Sequence, residues 1–184
     1  PLSQVIPSGP DTEVVGVIGA QLTAAISAAS SRAWIATPYF VPDEPLMLAL
    51  RTAALAGVDV RILVPNPRHN DQRLVAWAGA SYYDEVLAAG GRIYEYKPAM
   101  LHAKYLIVDD TVCAIGSANM DVRSFHLNYE VTAMFYAASV THTLATIFEE
   151  DLARATEITL ASRESPSLWQ RLAEGSARVL SPLM

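Results

Sequence analysis

The sequence predicts an α/β protein, a layered α/β/α sandwich built on a central mixed β-sheet. Strand-length and helix-length apolar runs alternate through the first ninety residues, the pattern of parallel strands with helices crossing between them. Strands then cluster after Arg92, which adds antiparallel neighbours to the sheet. The composition supplies a core: 52% of the 184 residues are hydrophobic and 17% are charged, which excludes a disordered chain. With no repeat and no linker-like tract, residues 1–184 are expected to form a single domain.

Each element has its own signal. The opening PLSQVIPSGP carries three prolines and reads as an entry segment without stable structure. Asp11 or Thr12 is the expected N-cap of a buried helix, EVVGVIGAQLTAAISAAS. RAWIATPYF is a short strand stopped by prolines. Asp43 caps a second helix, EPLMLALRTAALAG, which Gly57 ends, and VDVRILVP is the next strand. NPRHND is a polar loop before one continuous helix, QRLVAWAGASYYDEVLAAGG. Three strands follow: RIYEY, HAKYLIVD and VCAIGSA, the last two joined by a tight turn at Asp110–Thr111. After an irregular stretch come the strand EVTAMFY and the helix SVTHTLATIFEEDLARAT. Ser165 and Pro166 open a last amphipathic helix with Leu168, Trp169, Leu172, Val179 and Leu180. Packing on the domain is the favoured reading of that helix over a membrane contact.

Charge and cysteine narrow the function classes. A net charge of −6 opposes general affinity for nucleic-acid backbones, so no nucleic-acid partner is expected. The single Cys113 excludes an intrachain disulfide and a cysteine-based metal cluster, and its apolar setting marks a buried, inert thiol. No apolar run reaches the roughly 18 residues needed to span a bilayer. Because the first residue is Pro1, the chain is expected to be a soluble piece of a longer protein. No glycine-rich nucleotide loop is present.

Chemistry concentrates in MLHAKYLIVDD, residues 100–110. On a strand, His102 and Lys104 share a face, whereas Asp109 has the opposite parity and suits a structural pairing. The next strand ends in GSAN, whose Ser117 and Asn119 arrive beside them if the two strands form a hairpin. Glu130, just after Asn128, opens a further strand and is placed to accept the Nδ1 proton of His102 and fix its tautomer. A cation and an amide donor suit the non-bridging oxygens of a phosphate, and an imidazole can attack phosphorus or protonate the leaving oxygen. No carboxylate cluster accompanies them, so neither metal nor other cofactor is expected.

HAKYLIVDD followed by IGSAN resembles the phospholipase D superfamily signature, His-x-Lys-x4-Asp-x6-Gly-Ser-x-Asn, through His102, Lys104, Asp109, Gly116, Ser117 and Asn119. TPYFVPDEPL, LRTAALAGVDVRILVP, GRIYEYKPAMLHAK, SANMDVRSFHLNYEV and SPLM extend the resemblance, over nearly the whole chain, to the carboxy-terminal half of bacterial cardiolipin synthases. That resemblance implies two halves facing each other across a pseudo-two-fold axis. One histidine carries a phosphatidyl group, the other serves as acid and then base, and two phosphatidylglycerols are joined with release of glycerol. It implies that His102 is one of those histidines, as nucleophile or as acid. Lys104 and Asn119 would grip phosphate, Glu130 would orient His102, Ser117 would organise the pocket, and Asp109 and Gly116 would be structural. The implied partners are phosphatidylglycerol, a second half-domain (the amino-terminal half or a second copy) and, for the full-length protein, the inner membrane. One motif stands here where the full enzyme has two.

A phosphodiesterase of the same superfamily and a catalytically silent half are the alternatives. Tyr39 and Phe40 are candidates for the pocket entrance or for core packing. Arg123 is a candidate contact to an anionic head group or a structural pairing. His69, His126 and His142 read as surface residues.

Overall fold

Ala33, Trp34, Ile35 and Ala36 are all buried, as a strand covered on both faces requires. They belong to a computed structural model that describes residues 1–11 and 15–163. In chain order the elements begin with β1 (Leu2–Ser8), α1 (Val17–Ser27), β2 (Arg32–Ala36), β3 (Phe40–Val41), α2 (Glu44–Leu55) and β4 (Asp59–Pro65). Then come α3 (Arg73–Ala80), α4 (Tyr83–Ala88), β5 (Arg92–Tyr96), β6 (Tyr105–Val108), β7 (Val112–Gly116) and β8 (Met120–Asp121). The remainder is α5 (Val122–His126), β9 (Glu130–Tyr136), α6 (Ala138–Leu152), β10 (Ala155–Ile158) and α7 (Leu160–Arg163).

Eight strands make one mixed sheet in the order β1-β9-β7-β6-β2-β4-β5-β10, and β3 pairs with β8 apart from it. β2, β4 and β5 run parallel, linked by helices; the other neighbours in the sheet are antiparallel. Alternating side chains feed two cores. Ile35, Ile62, Ile93, Leu106 and Met134 pack with Ile18 and Ile26 of α1 and Leu46 and Leu50 of α2. Trp34, Leu63, Tyr94, Ile107 and Cys113 face the other way, onto Leu144 and Phe148 of α6, where Trp34 stacks on Phe148 with centroids 5.1 Å apart. The expected α/β/α layering is therefore the observed one, and Cys113 is buried within it.

Several local expectations are corrected. Residues 2–8 form an edge strand on β9 rather than an irregular entry, and Pro7 is tolerated because an outermost strand pairs on one side only. α1 begins at Val17, not after Asp11 or Thr12: Gly16 is its N-cap, in the left-handed region at φ 77°, and the His126 ring stands 3.0 Å from where a Cβ would be. The long third helix is two helices, because the Ser81 hydroxyl donates to the Ala78 carbonyl at 2.6 Å and the chain turns there. Asp43 caps α2 as expected, accepting from the Leu46 amide at 3.0 Å, and Gly57 at φ 89° ends it. β8, α5 and β10 lie in segments read as irregular or helical, and the helix expected from Ser165 lies outside the described residues.

Candidate active site

Register alone brings the motif together. Ala36 of β2 pairs with Tyr105 of β6, Tyr105 with Ile115 of β7, and Gly116 with Thr132 of β9. The residues just beyond these pairs, Tyr39, Lys104, Ser117, Asn119 and Glu130, therefore emerge at one end of the sheet. Asp109 lies at the opposite end of β6.

β6 starts at Tyr105, so His102 and Lys104 precede the strand instead of sharing its face, which corrects the parity argument. What fixes them is Leu101, buried with Tyr105, and a backbone bond from the Gly116 amide to the Lys104 carbonyl at 3.2 Å. His102 is exposed, edge-on to the Tyr39 ring at 6.5 Å. Lys104 Nζ donates to the His102 carbonyl at 2.9 Å. Burial pushes the Lys104 ammonium below the usual lysine pKa, and Glu130, Asp121 and Asp71 pull it back only in part.

The Ser117 hydroxyl donates to Glu130 Oε2 in a very short hydrogen bond and accepts from the Val131 amide at 3.0 Å. Asn128 Nδ2 donates to the other Glu130 oxygen at 3.3 Å. Among the described residues no hydrogen bond joins Glu130 to His102, so the expected direct hold on the imidazole is absent in this state. Gly116 allows this crossing of strands: a Cβ there would stand 2.5 Å from Thr132 Oγ1. The Asn119 amide donates to Asp121 Oδ2 at 3.1 Å, while its carbonyl oxygen is buried without a hydrogen-bond partner.

Asp121 was not evident as a site residue. It caps α5 through the Ser124 amide at 2.7 Å, and burial raises its pKa despite the hydrogen bonds it accepts. The signal for it in the sequence is the Asp-x-x-Ser spacing directly after GSAN. Asp109, in the left-handed region at φ 49°, accepts from the amides of Ser30, Ser31 and Arg32 and from the Ser31 hydroxyl. Burial alone would raise its carboxyl, but these donors hold it below the usual range.

A pocket of about 440 Å³ opens beside Asn119 and Asp121. Val41, Leu74 and Val75 make its apolar side; Tyr39, Arg123 and Asn128 make its polar side. The Tyr39 hydroxyl donates to Asp71 Oδ1 at 2.7 Å, and Phe40 is buried in the core. Arg123 is exposed and forms no ion pair among the described residues. A second pocket, of about 390 Å³ against α2, holds none of the motif residues. His69 and His142 are exposed, and His126 lies 3.6 Å from Asp43 at the surface. Chemically, the arrangement offers an accessible imidazole, a half-buried ammonium and an amide beside a cavity that is half apolar.

Residues 22–152 match the family model described as "Cardiolipin synthase, PLD-like domain". The chain is 46% identical over 181 residues to cardiolipin synthase of a Geobacillus species, a match covering 98% of this chain and 36% of that protein. To cardiolipin synthase 1 of Bacillus cereus it is 42% identical over 181 residues, covering 98% and 35% respectively. The chain thus spans about a third of the length of these relatives. In fold it is similar to Nuc, a phospholipase D family member from Salmonella typhimurium, with TM-score 0.72 and 18% identity over 86% of this chain and 99% of that one. Phosphatidylserine synthase of Haemophilus influenzae aligns with TM-score 0.74 and 14% identity, over 100% of this chain and 48% of that one.

Proposed function

We propose a function from the premise that the chain belongs to the cardiolipin synthase, PLD-like domain family. The chain is a phosphatidyltransferase half-domain that moves a phosphatidyl group from one phosphatidylglycerol to another. The observation that carries this reading is the convergence, at one sheet end, of exposed His102, half-buried Lys104 and Asn119 beside a pocket with an apolar wall.

The chemistry follows from those groups. An imidazole nitrogen attacks phosphorus, the P–N bond forms, and the bond to the glycerol oxygen breaks. The leaving oxygen takes its proton from a second imidazole supplied by the other half-domain. That second imidazole then accepts the proton of the incoming phosphatidylglycerol hydroxyl as it attacks and expels the histidine. His102 fills one of the two histidine positions. Lys104 neutralises the non-bridging oxygens, whose charge grows in the transition state. Asn119 presents its amide at the same end, and Asp121 restrains it. Ser117 and Asn128 hold Glu130 beside the ammonium.

The other half-domain is either another segment of a longer parent protein or a second copy of this chain. In the parent protein the site operates at the inner membrane, where its substrate resides. The apolar wall favours a lipid diester over a nucleic-acid one, in keeping with the net charge of −6.

Acid quench of the chain, with the other half-domain and radiolabelled phosphatidylglycerol supplied, tests the role of His102. If it is the nucleophile, wild type retains label on the protein and His102→Ala retains none, with turnover lowered about 10³-fold or more. Label that persists unchanged in His102→Ala assigns it the acid–base position. Unchanged turnover in that variant would remove it from catalysis altogether.

A further inference from the structure

Charge is handled differently at the two ends of the sheet. Away from the site, cations and carboxylates neutralise each other: Arg32 lies 2.9 Å from Asp110, and Asp59 takes Arg61 at 2.7 Å and Arg92 at 3.2 Å. Arg51 and Arg163 also have carboxylate partners, in Glu85 and Asp84, and at the site end Arg154, whose carbonyl accepts from the Lys97 amide, pairs with Asp151. The remaining described cations, Arg68, Arg73, Lys97, Lys104 and Arg123, form no ion pair among the described residues.

Every one of those cations sits at the site end. Arg68 and Arg73 follow β4, Lys97 follows β5, Lys104 precedes β6, and Arg123 is on α5 beside β8. The carboxylates near them are held by neutral donors instead: Asp71 by the Tyr39 hydroxyl, Asp121 by Asn119 and the Ser124 amide, Glu130 by Ser117 and Asn128. In a protein of net charge −6, this end keeps Arg68, Arg73, Lys97 and Arg123 without an ion pair among the described residues, while Lys104 is in the field of Glu130, Asp121 and Asp71.

α3 adds an apolar edge. Its Ala78, Gly79 and Ala80 are buried, and Gly79 lies so close to β3 that a Cβ would stand 2.8 Å from the Phe40 carbonyl. On its outer side, Leu74 is 55% exposed and Trp77 is 37% exposed, three residues apart on one face and next to Arg73. Leu74 also lines the pocket beside Asn119, so the exposed apolar side of α3 reaches the site. Tryptophan and leucine flanked by arginine are the residue types that settle at a membrane–water interface.

We propose that this end of the sheet, with α3 at its rim, docks on the surface of an anionic bilayer. Leu74 and Trp77 enter the headgroup layer while Arg68, Arg73, Lys97 and Arg123 face its phosphates, so the pocket opens directly onto the lipid. The proposal rests on the reading that the pocket takes a phospholipid. Nucleic acid is the other polyanion such cations attract, but it gives no role to the exposed leucine and tryptophan.

The test is co-sedimentation of the chain with vesicles of phosphatidylglycerol and phosphatidylcholine, against phosphatidylcholine alone. Binding is expected to the anionic vesicles only. The combined variant Arg68→Gln, Arg73→Gln, Lys97→Gln should bind about 100-fold more weakly, at roughly five-fold per charge. Brominated phosphatidylglycerol should quench wild-type fluorescence more than that of Trp77→Phe. A urea-unfolding midpoint equal to wild type confirms that each variant folds. Equal binding to neutral vesicles, undiminished binding by the triple variant, quenching unchanged in Trp77→Phe, or displacement by single-stranded DNA without any tryptophan quenching would overturn the proposal. Turnover of a short-chain, monomerically dispersed phosphatidylglycerol reads the chemistry separately. Vesicle binding with no such turnover even when the other half-domain is supplied sinks the functional reading alone, and turnover without vesicle binding sinks the docking alone.

Discussion

Lys104 is where the site's electrostatics can be read one residue at a time. Burial disfavours its charged form, and Glu130, Asp121 and Asp71 restore only part of the loss, so it releases its proton at a lower pH than an exposed lysine. If its charge stabilises the phosphoryl oxygens, turnover should fall on the alkaline side with an inflection below the ordinary lysine value. Lys104→Arg keeps a guanidinium that stays charged throughout that range. The variant should lose the alkaline limb of the kcat profile while turning over about 10- to 100-fold more slowly, because a planar fork misplaces the charge. A wild-type alkaline limb in Lys104→Arg would assign the titration to another group. The spacing of His102, Lys104, Ser117 and Asn119 makes their convergence legible in the sequence, because motif spacing survives small errors in strand boundaries. The partner of Glu130 is not legible there. Whether a carboxylate meets a serine one strand away or an imidazole two strands away depends on register and side-chain rotamer, not on spacing.

At the scale of elements, Asp109 shows a motif residue acting on architecture. It closes β6 in the left-handed region and ties the segment between α1 and β2 to the far end of the sheet through the amides of Ser30, Ser31 and Arg32. Its carboxyl is held below the usual range, so the folded state binds fewer protons than the unfolded state as pH falls through the ordinary aspartate value. Its contribution is present above the unfolded pKa and is lost as pH falls through the depressed folded one. Asp109→Asn tolerates the left-handed backbone but accepts these bonds without charge. It should lower stability at pH 7 by about 1 kcal/mol, and the gap from wild type should narrow in urea unfolding as pH is lowered below the ordinary aspartate value. Its kcat should be unchanged; a large loss of kcat without loss of stability would place Asp109 in the chemistry instead. β2, β4, β5, α2 and α6 were readable because burial on one or both faces writes itself into apolar periodicity. β1 and β10 were not: an edge strand buries little, with Ile6 and Ser8 the buried positions of β1, and its prolines read as breakers. β8 and α5 are too short to carry a period, and they are set by Asp121 capping and by pairing with β3.

For the whole molecule, the layered fold and the family were visible in the chain, whereas the number of chains needed for a site was not. In the mechanism we propose, one His102 and one Lys104 supply half of a reaction that uses an attacking group and a separate proton donor. The sheet end that carries them has its pocket and its exposed imidazole on one side of the molecule, with Arg68, Arg73, Lys97 and Arg123 unpaired among the described residues. If two copies complete the site, each active assembly needs two intact His102 side chains. Mixing equal amounts of wild type and His102→Ala, with exchange allowed, should then leave about a quarter of the activity, because pairing is random and only wild-type pairs turn over. A self-sufficient chain would leave about half. If the complement is instead another segment of the parent protein, the isolated chain should be inactive at every concentration and recover turnover only when that segment is added. In that case mixing with His102→Ala has no activity to dilute. Specific activity measured across a dilution series separates these cases: it falls on dilution for paired copies, stays constant for a self-sufficient chain, and is zero throughout for a half that needs its parent.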